Sequence, residues 1–60
     1  MNQKREIFVE FIVQGNVVKV TAIDSVAGLE ASIVGPAGAP RAVLAEAARR
    51  KLDYVAKKKS

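Results

Sequence analysis

Ile7-Phe8-Val9-Glu10-Phe11-Ile12-Val13-Gln14-Gly15-Asn16-Val17-Val18-Lys19-Val20-Thr21-Ala22-Ile23-Asp24 is the stretch that decides the fold. β-Branched and aromatic residues crowd both flanks of Gly15-Asn16. A two-residue loop that begins with Gly is a hairpin signal and favours a type II′ turn. The loop alone sets a register. Val13 meets Val18, Phe11 meets Val20 and Val9 meets Ala22 on one face. Gln14 meets Val17, Ile12 meets Lys19, Glu10 meets Thr21 and Phe8 meets Ile23 on the other. A slip of one residue would move every side chain to the opposite face, so this division specifies the pairing strongly.

Outward from the hairpin, Ser25-Val26-Ala27-Gly28 is a second turn, ending in a Gly able to take a positive φ. Leu29–Val34 follows as a third strand. If Asp24 pairs with Leu29, then Ala22 meets Ala31 and Val20 meets Ile33. The inner face becomes Ile7, Val9, Phe11, Val13, Val18, Val20, Ala22, Leu29, Ala31 and Ile33. The outer face reads in rows: Phe8–Ile23–Glu30, Glu10–Thr21–Ser32 and Ile12–Lys19–Val34. Two independent turns therefore agree on a three-stranded antiparallel meander.

Gly35-Pro36-Ala37-Gly38-Ala39 connects this sheet to a helix predicted from Pro40 to about Lys57, with Pro40 at the first helical position, where a missing N–H costs nothing. At 100° per residue Val43, Leu44, Ala47, Ala48, Leu52, Tyr54 and Val55 gather on one half of the wheel, with Lys51 near the middle of that arc. Ala42, Ala45, Glu46, Arg49, Arg50, Asp53 and Lys57 fill the other half. Glu46–Arg50 and Asp53–Lys57 stand at i, i+4 with the acid first, the favourable order. The long stem of Lys51 is expected to lie on apolar surface while its amine reaches water at the edge of the sheet. The expected fold is α+β, of order βββα, with the helix on the inner face. Residues 1–5 are expected to form a flexible N-terminal tail, 6–57 the single domain, and 58–60 a basic C-terminal tail.

Sixty residues bury only about 60% of the surface that the unfolded chain exposes, so a domain this small needs a staple. Cysteine and histidine are both absent, which removes disulfides, thiolate metal sites, imidazole ligands and the usual general base. Oligomerisation is the device left. No catalytic residue, metal ligand or cofactor site is expected: Ser25, Ser32 and Ser60 have no histidine to activate them. Gly35-Pro36-Ala37-Gly38 lacks a Walker lysine and the dinucleotide fingerprint, and no small-molecule substrate is evident. The apolar run after Met1–Arg5 is broken by Glu10 and lacks a small-residue cleavage site. No stretch approaches the length of a membrane span, so a cytoplasmic protein is expected.

One helix covers one face of a sheet. On the other face Phe8, Ile12, Val17, Ile23 and Val34 surround a polar row carrying Glu10, with Lys19 beside it. Apolar residues around a polar stripe suit an interface. A homodimer through this outer face or a strand edge is the leading expectation, with another protein as a possible partner. The alternative starts from charge. Ten Lys or Arg against six Asp or Glu give +4, and the excess concentrates late in the chain. Arg49, Arg50, Lys57, Lys58 and Lys59 are then the candidates for phosphate contact without sequence preference.

Val9-Glu10-Phe11, Gly15-Asn16-Val17-Val18-Lys19-Val20, Ala22-Ile23-Asp24, Ser32-Ile33-Val34-Gly35-Pro36 and Arg50-Lys51-Leu52-Asp53-Tyr54-Val55 together resemble a family of short uncharacterised bacterial proteins classed as a domain of unknown function. The resemblance covers roughly positions 8–57 and supports the architecture without implying an activity or a site. Some such sequences carry a serine hydroxymethyltransferase label. This chain is too short for that enzyme and has no pyridoxal-phosphate lysine motif. The architecture is also similar to the sheet-and-helix DNA readers of the AP2 and integrase N-terminal type. Those read DNA with arginines and aromatics on the open sheet face, where this chain offers Lys19, Glu10, Glu30 and no arginine.

Overall fold

The computed structural model describes residues 6–59, the side chain of Lys59 excepted. The N-terminal tail expected at 1–5 lies outside the described residues. Three strands, β1 (Ile7–Gln14), β2 (Val17–Asp24) and β3 (Leu29–Pro36), form an antiparallel sheet in the order β1-β2-β3, and α1 (Arg41–Lys59) packs on one face. The fold is βββα. Every expected strand pair is present, including Phe11 with Val20, Glu10 with Thr21, Thr21 with Ser32 and Asp24 with Leu29.

The turns account for that register. Gly15 adopts φ +60° while no other type of residue among those described has a positive φ, so Asn16 stays on the negative side, as a type II′ turn requires. In the second turn Gly28 takes φ +71° and its N–H donates to the Asp24 carbonyl. The Asp24 carboxylate accepts from the backbone N–H of Val26 and of Ala27, both at 3.0 Å. Asp24 is buried and holds the loop from beneath.

β3 runs two residues past its expected end, because Pro36 still pairs with Val17 and the Ala37 N–H donates to the Asn16 carbonyl. The helix starts one residue later than expected and continues to Lys59. Pro40 stands just before it, and its carbonyl accepts from the N–H groups of Val43 and Leu44. A proline here caps by its carbonyl and has no N–H left to satisfy.

The core is Val18, Val20, Ala22 and Ala31 from the sheet against Leu44, Ala48 and Leu52 from the helix. The helix face differs from the expected arc. Leu44, Ala48, Leu52 and Val55 face the core as expected, but Ala45 is buried as well, whereas Val43, Ala47 and Tyr54 are exposed. The arc is rotated, and Lys51 lies at its margin. Alanines supply little size contrast around the wheel, so the choice falls to fit against the sheet. Gly35 decides part of it: a Cβ there would stand 2.6 Å from Leu44 Cδ2, so the bare backbone lets Leu44 seat directly over the end of β3. The helix lies mainly over β3 and β2 and touches β1 least.

Candidate association surface

The open face of the sheet carries the seven residues singled out from sequence. Phe8 (53% exposed), Ile12 (48%), Val17 (43%) and Val34 (66%) are large apolar side chains turned to solvent, and Ile23 is half-buried among them. Glu10 and Lys19 are exposed on the same face, and no ion pair joins them among the described residues. In the middle of this face Thr21 is buried, and its hydroxyl shares a 2.8 Å hydrogen bond with that of Ser32. The Thr21–Ser32 part of the polar row is thus satisfied from within, which leaves apolar surface and the charges of Glu10, Lys19 and Glu30 to face outward. The two hydroxyls bond each other, and nothing in this pair activates a nucleophile.

The edges of the sheet differ from each other. The Ser25 N–H donates to the Glu6 carbonyl, which makes Glu6–Ser25 a hydrogen-bonded pair of the first ladder. Bonded and non-bonded pairs alternate in an antiparallel ladder. The even-numbered residues of β1 therefore bond β2, and Ile7, Val9, Phe11 and Val13 direct their N–H and C=O groups away from the sheet. By the same argument the Ala37–Asn16 bond turns the backbone of Glu30, Ser32 and Val34 outward on β3. There the Lys51 ammonium donates to the Ser32 carbonyl at 2.8 Å. The Lys51 amine thus stands at the sheet edge, as its position suggested, and caps that edge.

Beneath the helix, β1 is only partly covered. Ile7, Val9 and Phe11 are half-buried, Val13 is 53% exposed, and the Arg41 guanidinium lies over the Phe11 ring at 4.8 Å. Neither the Gly35–Leu44 contact nor the Arg41–Phe11 stack was anticipated from the sequence. A glycine ending a strand just before a helix was the available signal for the first, and the second had none.

At 3.6 residues per turn Arg49, Arg50 and Lys57 fall within about 100° of one another on α1, and Lys58 falls outside that arc. Arg50 pairs with Glu46 at 3.2 Å, and the Lys58 ammonium lies 5.6 Å from the centre of the Tyr54 ring. Arg49 and Lys57 are exposed, and the side chain of Lys59 lies outside the described residues. At 3.6 residues per turn Arg49 and Lys58 project from roughly opposite sides of the helix. A shallow depression lined by Val43, Glu46, Ala47 and Arg50 belongs to the helix alone, with no group from the sheet. Among the described residues no cluster of three His, Cys, Asp or Glu is placed to hold a metal ion, and no helix is long and apolar enough to cross a membrane.

A family model, described as a domain of unknown function, matches residues 4–59, which is nearly the whole chain. The chain belongs to the DUF6898 family. The match spans all four elements, so the DUF6898 domain and the βββα unit coincide. No curated protein and no solved structure matches the chain.

Proposed function

We propose that this DUF6898 domain is a non-enzymatic protein–protein association module that forms homodimers through its sheet. The observation that carries the reading is the open face, where Phe8, Ile12, Val17 and Val34 are exposed around a Thr21–Ser32 pair that satisfies itself. Burying such side chains contributes about 1.5–3 kcal/mol each when complete, a large term beside the roughly 3–9 kcal/mol expected for a domain of this size. Dimerisation supplies the stability that a chain without disulfides or metal otherwise lacks. Cytoplasmic residence fits the absence of cysteine. Nucleic-acid binding has less support, because Lys58 lies on the far side of the helix from Arg49 and because Arg50 is already paired with Glu46.

Light scattering after size exclusion, over a range of concentration, tests the reading. The chain should approach twice its 6.4 kDa mass as concentration rises. Ile12→Glu should return it to monomer and lower its melting temperature. A monomer at every concentration refutes the reading.

A further inference from the structure

The two edges of the sheet are not equivalent, and resting on the homodimer reading, we infer that two copies join by antiparallel pairing of β1 with β1, aligned on Phe11, into one six-stranded sheet. A strand edge with free N–H and C=O groups is a template for another strand, and folded proteins blunt such edges with lysines, prolines or bulges. β3 is blunted by Lys51 on the Ser32 carbonyl and ends in Pro36. β1 has none of these devices. It pairs with β2 without a bulge over its whole length, contains no Lys or Pro, and directs the backbone of Ile7, Val9, Phe11 and Val13 outward.

Charge on the open face favours a second copy and selects among its registers. Only odd residues of β1 present outward groups, so odd must bond odd across a twofold axis. Three alignments engage most of the edge. With Val9 opposite the partner's Val9, Glu10 falls opposite the partner's Phe8, in the row that continues through Ile23 to Glu30, and like charges share a row. With Val9 opposite the partner's Phe11, the two Glu10 carboxylates face each other directly, which is unfavourable. With Phe11 opposite the partner's Phe11, Glu10 falls opposite the partner's Ile12, whose neighbour across the ladder is Lys19. The two strand spacings between Glu10 and that lysine, about 10 Å, are within reach of two long side chains leaning over Ile12. Symmetry forms the pair twice.

Glu10 and Lys19, exposed and without a mutual ion pair in one copy, thus become complementary between two. The same alignment places Val13 opposite the partner's Val9, covering a side chain that the helix leaves 53% exposed. Three bonded pairs at two bonds each give about six backbone hydrogen bonds. An interface of this kind is small, so dissociation in the micromolar range is expected.

The chain has no cysteine, so single-cysteine variants report the register without background. Opposed residues in a bonded pair have Cα atoms about 5.5 Å apart, inside the range that a disulfide spans. Under mild oxidation Phe11→Cys should cross-link at least about tenfold faster than Glu10→Cys or Val34→Cys, which sit too far from their own copies to bridge. If Phe11→Cys does not fold, an equimolar mixture of Val9→Cys and Val13→Cys should cross-link as a mixed dimer faster than either variant does alone. Fastest cross-linking at position 10 or 34, or equal rates at all three, overturns the edge register. Sedimentation of the unaltered chain separates the two failures. A dimer with the wrong cross-linking pattern removes only the β1 pairing, while a monomer up to about 1 mM removes the association reading with it.

Discussion

Gly35→Ala tests whether the close approach of α1 to the sheet is what orients the helix. The added Cβ would lie 2.6 Å from Leu44 Cδ2, well inside van der Waals contact. Leu44 is 6% exposed within the core, so its methyl can retreat only by displacing neighbours. Overpacking of this kind costs about 1–3 kcal/mol. Opposing it, alanine lowers the entropy of the unfolded chain by about 0.4–1 kcal/mol, a gain available because Gly35 does not hold a positive φ. The net expectation is a loss of about 1 kcal/mol, or about 4–8 °C in melting temperature for a domain this small. Leu44→Val removes the obstructing methyl at a cost of about 1 kcal/mol for the lost methylene. In the double variant the clash is gone and the alanine keeps its entropic advantage, so it should be no less stable than Leu44→Val alone. Chemical denaturation of the four proteins closes the cycle, with a coupling of about 1–2 kcal/mol expected. Additive effects, within about 0.5 kcal/mol, would show that the Gly35–Leu44 approach does not hold the helix where it lies.

Further substitutions follow from the polar groups. Ser32→Ala should cost more than Thr21→Val, by about 1 kcal/mol in denaturant unfolding, because it strands a buried hydroxyl whereas the reverse change leaves one that can reach water; equal costs would contradict this. Asp24→Ala should lose about 2 kcal/mol with its two hydrogen bonds to the second turn, and Asp24→Asn should lose less because it keeps the accepting oxygen. Lys51→Met should change unfolding free energy by less than about 1 kcal/mol yet raise light scattering at high concentration, since the β3 edge would stand uncapped; unchanged scattering would remove the capping role.

The sheet was legible residue by residue because two short turns dictate its geometry. Gly15-Asn16 permits few backbone conformations, and Asp24 and Gly28 close the other turn from within, so the rows of the open face follow from counting. The helix was legible in type and approximate extent, and less so in its rotation. Val43 and Tyr54 are larger than Ala45, and a wheel weighted by hydrophobicity turns them inward. The structure turns Ala45 inward instead, with Leu44 seated over Gly35 and the Lys51 amine on the Ser32 carbonyl. Those are relations between elements far apart in sequence. The apolar residues of the open face were visible from the start, while the inequality of the two sheet edges was not. It depends on which backbone groups point outward and on where one lysine lands.

The capped β3 edge also bears on how large an assembly can become. A sheet with two open edges adds copies head to tail without limit and ends as a fibre. Here one edge is stoppered by an ammonium group that would have to be dragged off its carbonyl before another strand could enter. In the proposed dimer growth is therefore permitted in one direction only, and two copies that meet through the same edge close the assembly. Lys51, on a helix and nineteen residues from the carbonyl it holds, acts as the terminator of the sheet.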